Sequence, residues 1–424
     1  MPHPSIYALL EAGPVDAPAI SAPDGVKSLT FRDLAALARC TVETLNSIGI
    51  GRGDRVAIVL HNGPEMATSF LSVAAGAATA PLNPGYRAEE LEFYLGDLKP
   101  KALVLEVGLD SPARAMARKL SIPVLELTAD RTRGAGWFTL SGGSKGTPAR
   151  AGMGDKDDPA LLLHTSGTTS RPKLVPLLQR NLLASAENIG QTLALTRDDV
   201  CLNIMALFHI HGLVAATLSS LAAGGSVSCT PGFNALRFFH WLDDVRPTWY
   251  TAVPTMHQAI LARAKRHREE IARGRLRLIR SSSASLPAPV MLEMEKTFGV
   301  PVIEAYGMTE ACHQMASNPL PPRARKPGYV GVAAGPEVAI LDEDWKPLPR
   351  GQLGEVAIRG PNVTPGYEAN PEANARSFRD GWFRTGDQGI LDEDGYLRLT
   401  GRFKEQINRG GEKFSPLEVD ELLS

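Results

Sequence analysis

Cysteine is scarce in this sequence, and neither sign of charge is in excess. The four cysteines among 424 residues (Cys40, Cys201, Cys229 and Cys312) lie far apart and form no CxxC pair. This spacing argues against a disulfide framework and against a zinc site, and it favours reduced thiols. The 45 basic and 46 acidic residues leave a net charge of −1. No field of one sign would therefore attract nucleic acid or an anionic membrane.

Long apolar runs are absent as well. Stretches such as residues 212–225 are too short, and too rich in alanine, serine and glycine, to span a bilayer. The N-terminal residues MPHPS contain no basic run followed by an apolar segment, which argues against a secretory signal. We therefore expect a cytoplasmic protein without stable membrane association.

Apolar, strand-like runs alternate with segments of helical periodicity over most of the chain. Runs of the first kind include residues 56–60, 102–107, 160–164, 200–207 and 301–305, and helical segments include 181–195 and 288–298. Such alternation is typical of a mainly parallel sheet that is flanked by helices. The predicted fold class is therefore α/β.

A change of composition suggests where this architecture divides. The polar, glycine-rich stretch 131–158 indicates a surface connection between two α/β subdomains, at about 1–150 and 151–320. From about 321 to 403 the short strands are punctuated by proline and glycine, which predicts a small β subdomain. Together these parts would form one large domain over residues 1–403.

The segment HTSGTTSRPK, residues 164–173, directly follows an apolar strand-like run. Small hydroxyl residues around Gly167 would let backbone N–H groups and hydroxyls approach phosphate oxygens, and Lys173 adds a positive charge. The spacing differs from that of a Walker A loop. A surface turn rich in serine and threonine has the same composition, so these residues alone leave both interpretations open.

Five segments, taken in order, resemble the motifs of the acyl-adenylate-forming superfamily, which includes acyl-CoA synthetases, peptide-synthetase adenylation domains and luciferases. They are HTSGTTSRPK at 164–173, EAYGMTE at 304–310, GEV at 354–356, WFRTGD at 382–387 and GRFKE at 401–405. The resemblance implies the large N-terminal domain of that fold. It also implies ATP-dependent activation of a carboxylic acid to an acyl-adenylate, followed by transfer to coenzyme A with release of AMP and pyrophosphate.

The same resemblance implies roles for individual residues. The ATP and AMP site would comprise Thr165, Ser166, Gly167, Thr168, Thr169, Lys173, Glu304, Ala305, Tyr306, Thr309, Asp387 and Arg402. Within this set, Asp387 would bind the ribose hydroxyls and Tyr306 would stack on the adenine. Glu310 would bind Mg²⁺, because a hard cation prefers carboxylate oxygen. Lys173, Thr309, Glu310 and His209 are the predicted catalytic residues.

Beyond the large domain, the resemblance implies a hinge at Lys404 and a glycine pair, Gly410 and Gly411, past which the pantetheine of coenzyme A would run. Residues 404–424 would then be the hinge and the start of a truncated small C-terminal domain.

Polar residues cluster in the segments expected to line the acid pocket. They are His209 and His211, Ser282 and Ser283, and His313. A histidine in an apolar run is more often a core residue, but hydroxyls together with imidazoles would form a small polar pocket. Such a pocket could satisfy a second carboxylate, which an apolar tunnel would leave unpaired. The combined segments resemble oxalate–CoA ligases most, so we expect oxalate as the acid.

Two alternatives remain open at this stage. The chain could be a ligase for malonate, a short fatty acid or an aryl acid, or it could be a non-catalytic nucleotide-binding remnant of such an enzyme. Retention of Lys173, Thr309, Glu310, Asp387 and Arg402 argues against the remnant, since a scaffold has no physical need of a metal-binding carboxylate beside a phosphate loop.

Overall fold

The computed structural model describes residues 3–165 and 172–403, and the backbone of 407–409 and 412–414. Its α-helices are α1 Ile6–Ala12, α2 Phe31–Ser47, α3 Pro64–Ala74, α4 Ala88–Leu98, α5 Pro112–Lys119, α6 Gln179–Thr192, α7 Ser219–Ala222, α8 Phe238–Val245, α9 Pro254–Ala264, α10 Arg268–Arg273, α11 Ala288–Phe298 and α12 Pro371–Ser377. A π-helix spans His211–Leu218, and a 3-10 turn spans Thr309–Ala311.

The strands of the described residues fall into four sheets. They are β1 Pro18–Ser21, β2 Leu29–Thr30, β3 Arg55–Val59, β4 Ala78–Pro81, β5 Ala102–Glu106, β6 Val124–Ala129, β7 Phe138–Ser141, β8 Pro159–His164, β9 Leu174–Leu178, β10 Val200–Asn203, β11 Ser226–Cys229, β12 Trp249–Ala252, β13 Leu278–Ser281, β14 Val302–Met308, β15 His313–Ser317, β16 Val332–Ala333, β17 Glu337–Leu341, β18 Gly354–Arg359, β19 Phe378–Arg379, β20 Trp382–Leu391, β21 Leu397–Arg402, β22 Ile407–Arg409 and β23 Glu412–Phe414.

Two large sheets form the α/β part of the molecule. The first has the order β7-β6-β5-β3-β4-β8-β9, with antiparallel strands only at its two ends. The second has the order β16-β15-β14-β13-β12-β10-β11-β1-β2, and its six strands from β14 to β1 are parallel. Strand β7 lies within the stretch 131–158, for which the sequence indicated only a connection.

Helix α3 packs between the two large sheets. It contacts β3 and β4 of the first sheet and β1 and β11 of the second. Ten of its eleven residues are buried, all except Glu65, as expected of a helix that is covered on every side. One hydrophobic core includes residues of both sheets, so α3 joins the two sheets into one packed body.

The predicted β subdomain forms a third, antiparallel sheet, in which β20 pairs with β18, β19 and β21 and β17 pairs with β18. The fourth sheet is the pair β22 and β23. Within the described ranges, no helix is both long and apolar enough to cross a membrane.

Candidate active site

One end of the site is a cavity where the second sheet meets the β subdomain. It encloses about 290 Å3. Its lining residues are Ser283, Ala284, Ser285, Glu304, Ala305, Tyr306, Gly307, Gly328, Val330, Asp387, Leu399, Gly401 and Arg402. Several of them follow directly on, or lie at, the carboxyl ends of β13 and β14, where open α/β sheets place their ligands. The cavity brings together Glu304, Ala305, Tyr306, Asp387 and Arg402, the residues predicted for adenine and ribose.

Asp387 contacts Arg402 and Tyr306 through its two carboxylate oxygens. Oδ1 accepts a hydrogen bond of 2.8 Å from Arg402 Nε, and Oδ2 accepts one from the Tyr306 hydroxyl. Asp387 and Arg402 are cross-strand partners on β20 and β21, so the strand register itself sets their contact. Burial and the neighbouring Asp387 raise the pKa of the Tyr306 phenol, which therefore stays a hydrogen-bond donor at neutral pH.

The predicted phosphate loop connects β8 and β9. Ser166, Gly167, Thr168 and Thr169 belong to residues 166–171, which lie outside the described part. The two ends of the loop are close together: Thr165 N–H donates to the Lys173 carbonyl at 2.9 Å, and Lys173 N–H donates to Thr165 Oγ1 at 3.3 Å. This closure anchors Lys173 at the base of the loop.

Glu310 lies near Lys173, at the end of the site that contains the predicted phosphate loop, and it is buried. It belongs to the 3-10 turn that begins with Thr309. Burial raises the pKa of its carboxyl, while a hydrogen bond from Tyr367 and the charge of Lys173 act in the opposite direction. The Tyr367 hydroxyl donates to Glu310 Oε1 at 2.8 Å, and Lys173 Nζ lies 4.2 Å from the centroid of the Tyr367 ring.

The donors at this end fit a magnesium ion that is shared with a nucleotide. Within the described ranges, no three or more histidine, cysteine, aspartate or glutamate side chains group as a metal site. Mg²⁺, however, is usually held by one or two carboxylates together with substrate phosphates and water. A single buried carboxylate, Glu310, beside Lys173 is compatible with that arrangement and not with a metal cage made only of protein groups.

A second cluster of polar side chains adjoins this cavity. His211, at the start of the π-helix, contacts Thr251 Oγ1 through Nε2 at 2.6 Å and Ser283 Oγ through Nδ1 at 3.0 Å. Its ring centroid is 4.7 Å from that of His313. Because Ser283 also lines the cavity, the cluster is directly continuous with the predicted nucleotide site.

Arg280 belongs to the same cluster, lies on β13 and is completely buried. Its Nη atoms contact Thr251 Oγ1 at 3.4 Å, His313 Nδ1 at 3.3 Å and Gln314 Oε1 at 3.3 Å. All three partners are neutral, and Arg280 Nε has no hydrogen-bond partner within the described ranges. Burial alone lowers the pKa of this guanidinium to about 9.

Both histidines of the cluster are neutral. Burial and the charge of Arg280 lower the pKa of His211 and of His313 well below the usual range. Nε2 of His313 has no partner among the described residues. A neutral imidazole can accept a hydrogen bond from a protonated guanidinium. A doubly protonated imidazole has no acceptor nitrogen and cannot accept one.

Two residues predicted for the acid pocket have other surroundings. The Ser282 hydroxyl donates to the Ala305 carbonyl at 2.8 Å and thereby ties β13 to β14. His209 is exposed, with its ring centroid 4.6 Å from that of Phe208, and it takes no part in the hydrogen-bonded cluster of the described residues. Lys404, Gly410 and Gly411 lie outside the described residues.

Sequence reasoning missed Arg280, Thr251 and Tyr367. Arg280 left a signal, because it is a charged residue in a run that otherwise reads as a buried strand. Thr251 and Tyr367 left no local signal. Their partners lie 40 and 57 residues away in the chain and meet them only in the folded protein.

Comparison with known proteins places the chain in a family. The sequence profile of a protein family described as "AMP-binding enzyme" matches residues 10–368 of this chain. An oxalate–CoA ligase of Arabidopsis thaliana is 47% identical over 394 residues, covering 91% of this chain and 76% of the relative. The oxalate–CoA ligase of Saccharomyces cerevisiae is 40% identical over 439 residues, covering 96% and 80%. A probable CoA ligase of Humulus lupulus, CCL9, is 47% identical over 403 residues, covering 93% and 76%.

Solved structures agree with this placement. ATP-bound MatB from Rhodopseudomonas palustris matches with a TM-score of 0.84 and 31% identity, covering 98% of this chain and 82% of that one. O-succinylbenzoate coenzyme A synthetase from Bacillus subtilis, in complex with ATP and a magnesium ion, matches with a TM-score of 0.84 and 27% identity, covering 99% and 84%. The α/β fold class with its small β subdomain and the enzyme prediction are confirmed, and the chain belongs to the family of AMP-binding enzymes.

Proposed function

We propose that this chain is an AMP-forming acid–coenzyme A ligase and that its acid is oxalate. The observation that carries the choice of acid is Arg280, a buried guanidinium whose described hydrogen-bond partners are all neutral. Taking a cation out of water without an anion is costly. A carboxylate bound among His211, Ser283 and His313 would supply the missing negative charge.

A dicarboxylate fits this arrangement better than a monocarboxylate. One carboxylate of the substrate must reach the phosphate end of the nucleotide, and the other end of the molecule then lies in the polar cluster. An acyl chain or an aryl ring would bury Arg280 against apolar atoms and leave the guanidinium uncompensated. Two of the relatives described above are oxalate–CoA ligases, which supports oxalate among the dicarboxylates. Malonate, longer by one methylene, is the second candidate.

The first half-reaction would join the acid to AMP. A carboxylate oxygen attacks the α-phosphorus of ATP, the bond from that phosphorus to the bridging oxygen breaks, and pyrophosphate leaves. Lys173 would neutralise charge on the phosphates, Glu310 would hold Mg²⁺, and Asp387 would fix the ribose. When bound, Mg²⁺ supplies positive charge to the phosphate oxygens. Positioning and charge stabilisation suffice for this step, so no nucleophilic side chain is needed.

The second half-reaction would transfer the acyl group. The sulfur of coenzyme A bonds to the acyl carbon, the bond between that carbon and the phosphate oxygen of AMP breaks, and the thiol proton is released. Arg280 would keep its contact with the second carboxylate through both steps, so that the reacting carbonyl stays oriented.

Thermal shift with an acid panel tests the choice of acid. With Mg²⁺ and a non-hydrolysable ATP analogue present, oxalate should raise the melting temperature most, malonate less, and acetate and benzoate least. In Arg280→Met, which keeps the side-chain length but loses the charge, the oxalate shift should disappear while the shift from the nucleotide alone persists. A larger shift with acetate or benzoate than with oxalate would rule out the proposal. Pyrophosphate release with the same acids should follow the same order.

A further inference from the structure

A short segment of the β subdomain, residues 364–368, forms backbone hydrogen bonds with two other segments of the protein. These are the segment that carries Glu310 and the segment that follows Lys173. The Thr364 N–H donates to the Glu310 carbonyl at 2.8 Å, and the Glu368 N–H donates to the Leu174 carbonyl at 2.9 Å. Leu174 directly follows the loop lysine in the sequence. The segment therefore fixes the backbone of one predicted triphosphate residue and the neighbour of the other.

The side chain of Tyr367, in the same segment, contacts both residues themselves. Its hydroxyl donates to Glu310 Oε1 at 2.8 Å, and its ring faces Lys173 Nζ at 4.2 Å from the centroid. Phe378 and Phe383 pack edge-on against the ring, with centroids 5.8 Å and 6.5 Å away. The ring is thus held by packing while its two polar contacts are directed at opposite charges.

These two contacts have separate physical origins. A hydroxyl that donates to a carboxylate fixes the orientation of that carboxylate through a charge-assisted hydrogen bond. The face of an aromatic ring attracts an ammonium group through its quadrupole. Because one rigid side chain provides both, the positions of Glu310 and Lys173 are linked through Tyr367.

We propose that Tyr367 is a positioning residue for the magnesium–triphosphate unit: its hydroxyl orients Glu310 for the metal, and its ring places Lys173 for the phosphates. The inference rests on the proposed function, because it assumes that this end of the site takes MgATP. It adds a residue that acts through Glu310 and Lys173 and not through substrate contact.

Two substitutions separate the two contacts. Tyr367→Phe removes the hydroxyl and keeps the ring, and Tyr367→Leu removes both. ATP affinity is measured by calorimetry on the whole chain, with Mg²⁺ and with EDTA. Tyr367→Phe should weaken ATP binding about tenfold with Mg²⁺ and less than about twofold with EDTA, which is the loss expected for one charge-assisted hydrogen bond. Tyr367→Leu should also weaken binding in EDTA.

Tyr396 provides a matched control. It too is buried, its hydroxyl donates to the Ala324 carbonyl at 2.6 Å, and Lys326 Nζ lies 4.4 Å from its ring centroid. It is not among the cavity-lining residues. Tyr396→Phe removes a buried tyrosine hydroxyl beside a lysine, but one that donates to a backbone carbonyl and not to Glu310, so it should leave ATP affinity unchanged in both conditions.

A double substitution tests whether Tyr367 acts through Glu310. In a Glu310→Gln background, Tyr367→Phe should no longer change the ratio of ATP affinities with and without Mg²⁺, because the carboxylate that it orients is gone. A merely structural role would lower both affinities equally in either background, and that result would overturn the inference. Failure of the unmodified chain to bind MgATP would instead refute the proposed function, and the inference with it.

Discussion

Ser283 has a backbone conformation that residues with a side chain rarely adopt. Its φ of +73° lies in the left-handed region, where a non-glycine residue is strained by about 1 kcal/mol or more. The hydroxyl of the same residue contacts His211, and the residue lines the cavity predicted for the nucleotide. Glycine would avoid the strain but would lack the hydroxyl that contacts His211.

Substitution of Ser283 by glycine and by alanine should separate strain from hydrogen bonding. Both variants lose the hydroxyl, so oxalate should bind about tenfold more weakly to each, as expected for one lost hydrogen bond. Only alanine keeps the strain, so Ser283→Ala should be less stable than Ser283→Gly by about 1 kcal/mol. Urea denaturation and calorimetry measure the two effects. Equal oxalate affinity in the unmodified chain and Ser283→Gly would show that the hydroxyl has no part in acid binding.

At this scale the sequence predicted some site residues and not others. Asp387, Arg402 and Tyr306 lie together, as do His211, Ser283 and His313. These residues could be singled out from the sequence because they belong to recognisable motifs or segments. Arg280, which we propose as the partner of the acid, was overlooked because a charged residue within a buried strand has no recognisable role until its partners in the fold are known. Whether these residues bind the ligands that we assign to them remains a prediction.

The π-helix is the element that delivers His211 to the site. Asn203 Nδ2 donates to the Gly212 carbonyl and to Thr217 Oγ1, both at 3.1 Å, and so satisfies polar groups within the wider turn. A Cβ on Gly212 would lie 2.4 Å from the carbonyl oxygen of Ala206, so the close approach requires glycine. π-helical turns are rare and often lie at functional sites, which fits the position of this one.

Strand β14 requires a similarly close approach at Gly307. A Cβ there would lie 1.9 Å from the His313 carbonyl oxygen and 2.9 Å from its Nδ1. Gly307→Ala must therefore displace His313, at a cost of about 1 to 3 kcal/mol in unfolding free energy, and oxalate binding should be lost with it. Gly190→Ala on α6, where a Cβ meets nothing within 4 Å, should be neutral or stabilising by up to about 1 kcal/mol. Denaturant unfolding of the pair checks both; equal stabilities would contradict the clash.

Among the elements, the predicted helix 181–195 overlaps α6, which spans Gln179–Thr192. The predicted helix 288–298 coincides with α11. The predicted strand 200–207 was too long, because β10 ends at Asn203 and the chain turns toward the π-helix. A continuous apolar run cannot distinguish strand from buried helix, and the Asn203 contacts that favour the turn lie up to 14 residues ahead.

Buried neutral histidines affect the stability of the whole molecule. His257 is fully buried, with Nδ1 3.4 Å from the Tyr250 hydroxyl, and burial lowers its pKa from 6.5 to about 4. Below pH 6.5 the unfolded chain takes up a proton that the folded chain refuses, so this residue contributes a loss of stability as the pH falls from 6.5 to about 4.

His257→Gln removes this proton uptake. From about pH 7.5 to about pH 4.5, the stability of the unmodified chain should fall by about 2 to 3 kcal/mol more than that of the variant. Urea titrations at a series of pH values measure the difference. His211 and His313 remain in both proteins, so their own contributions cancel. Parallel pH dependence of the two stabilities would mean that His257 has an ordinary pKa.

The boundary predicted at about residue 150 remains a prediction, but the sheets do not follow it. Strands β1 and β2 belong to the second sheet, and β8 and β9 belong to the first. Local patterns predict that a segment is a strand, but they do not specify which distant strand it pairs with. The exchange could therefore not be read from composition.

This exchange of strands has a consequence for synthesis on the ribosome. Ile20 on β1 pairs with Val227 on β11, so about 200 further residues must be translated before that edge of the sheet can close. At translation rates of about 5 to 20 residues per second, the apolar strand waits roughly 10 to 40 s for its partner. During this interval Ala19 and Ile20, which are buried in the folded protein, stay exposed on the nascent chain.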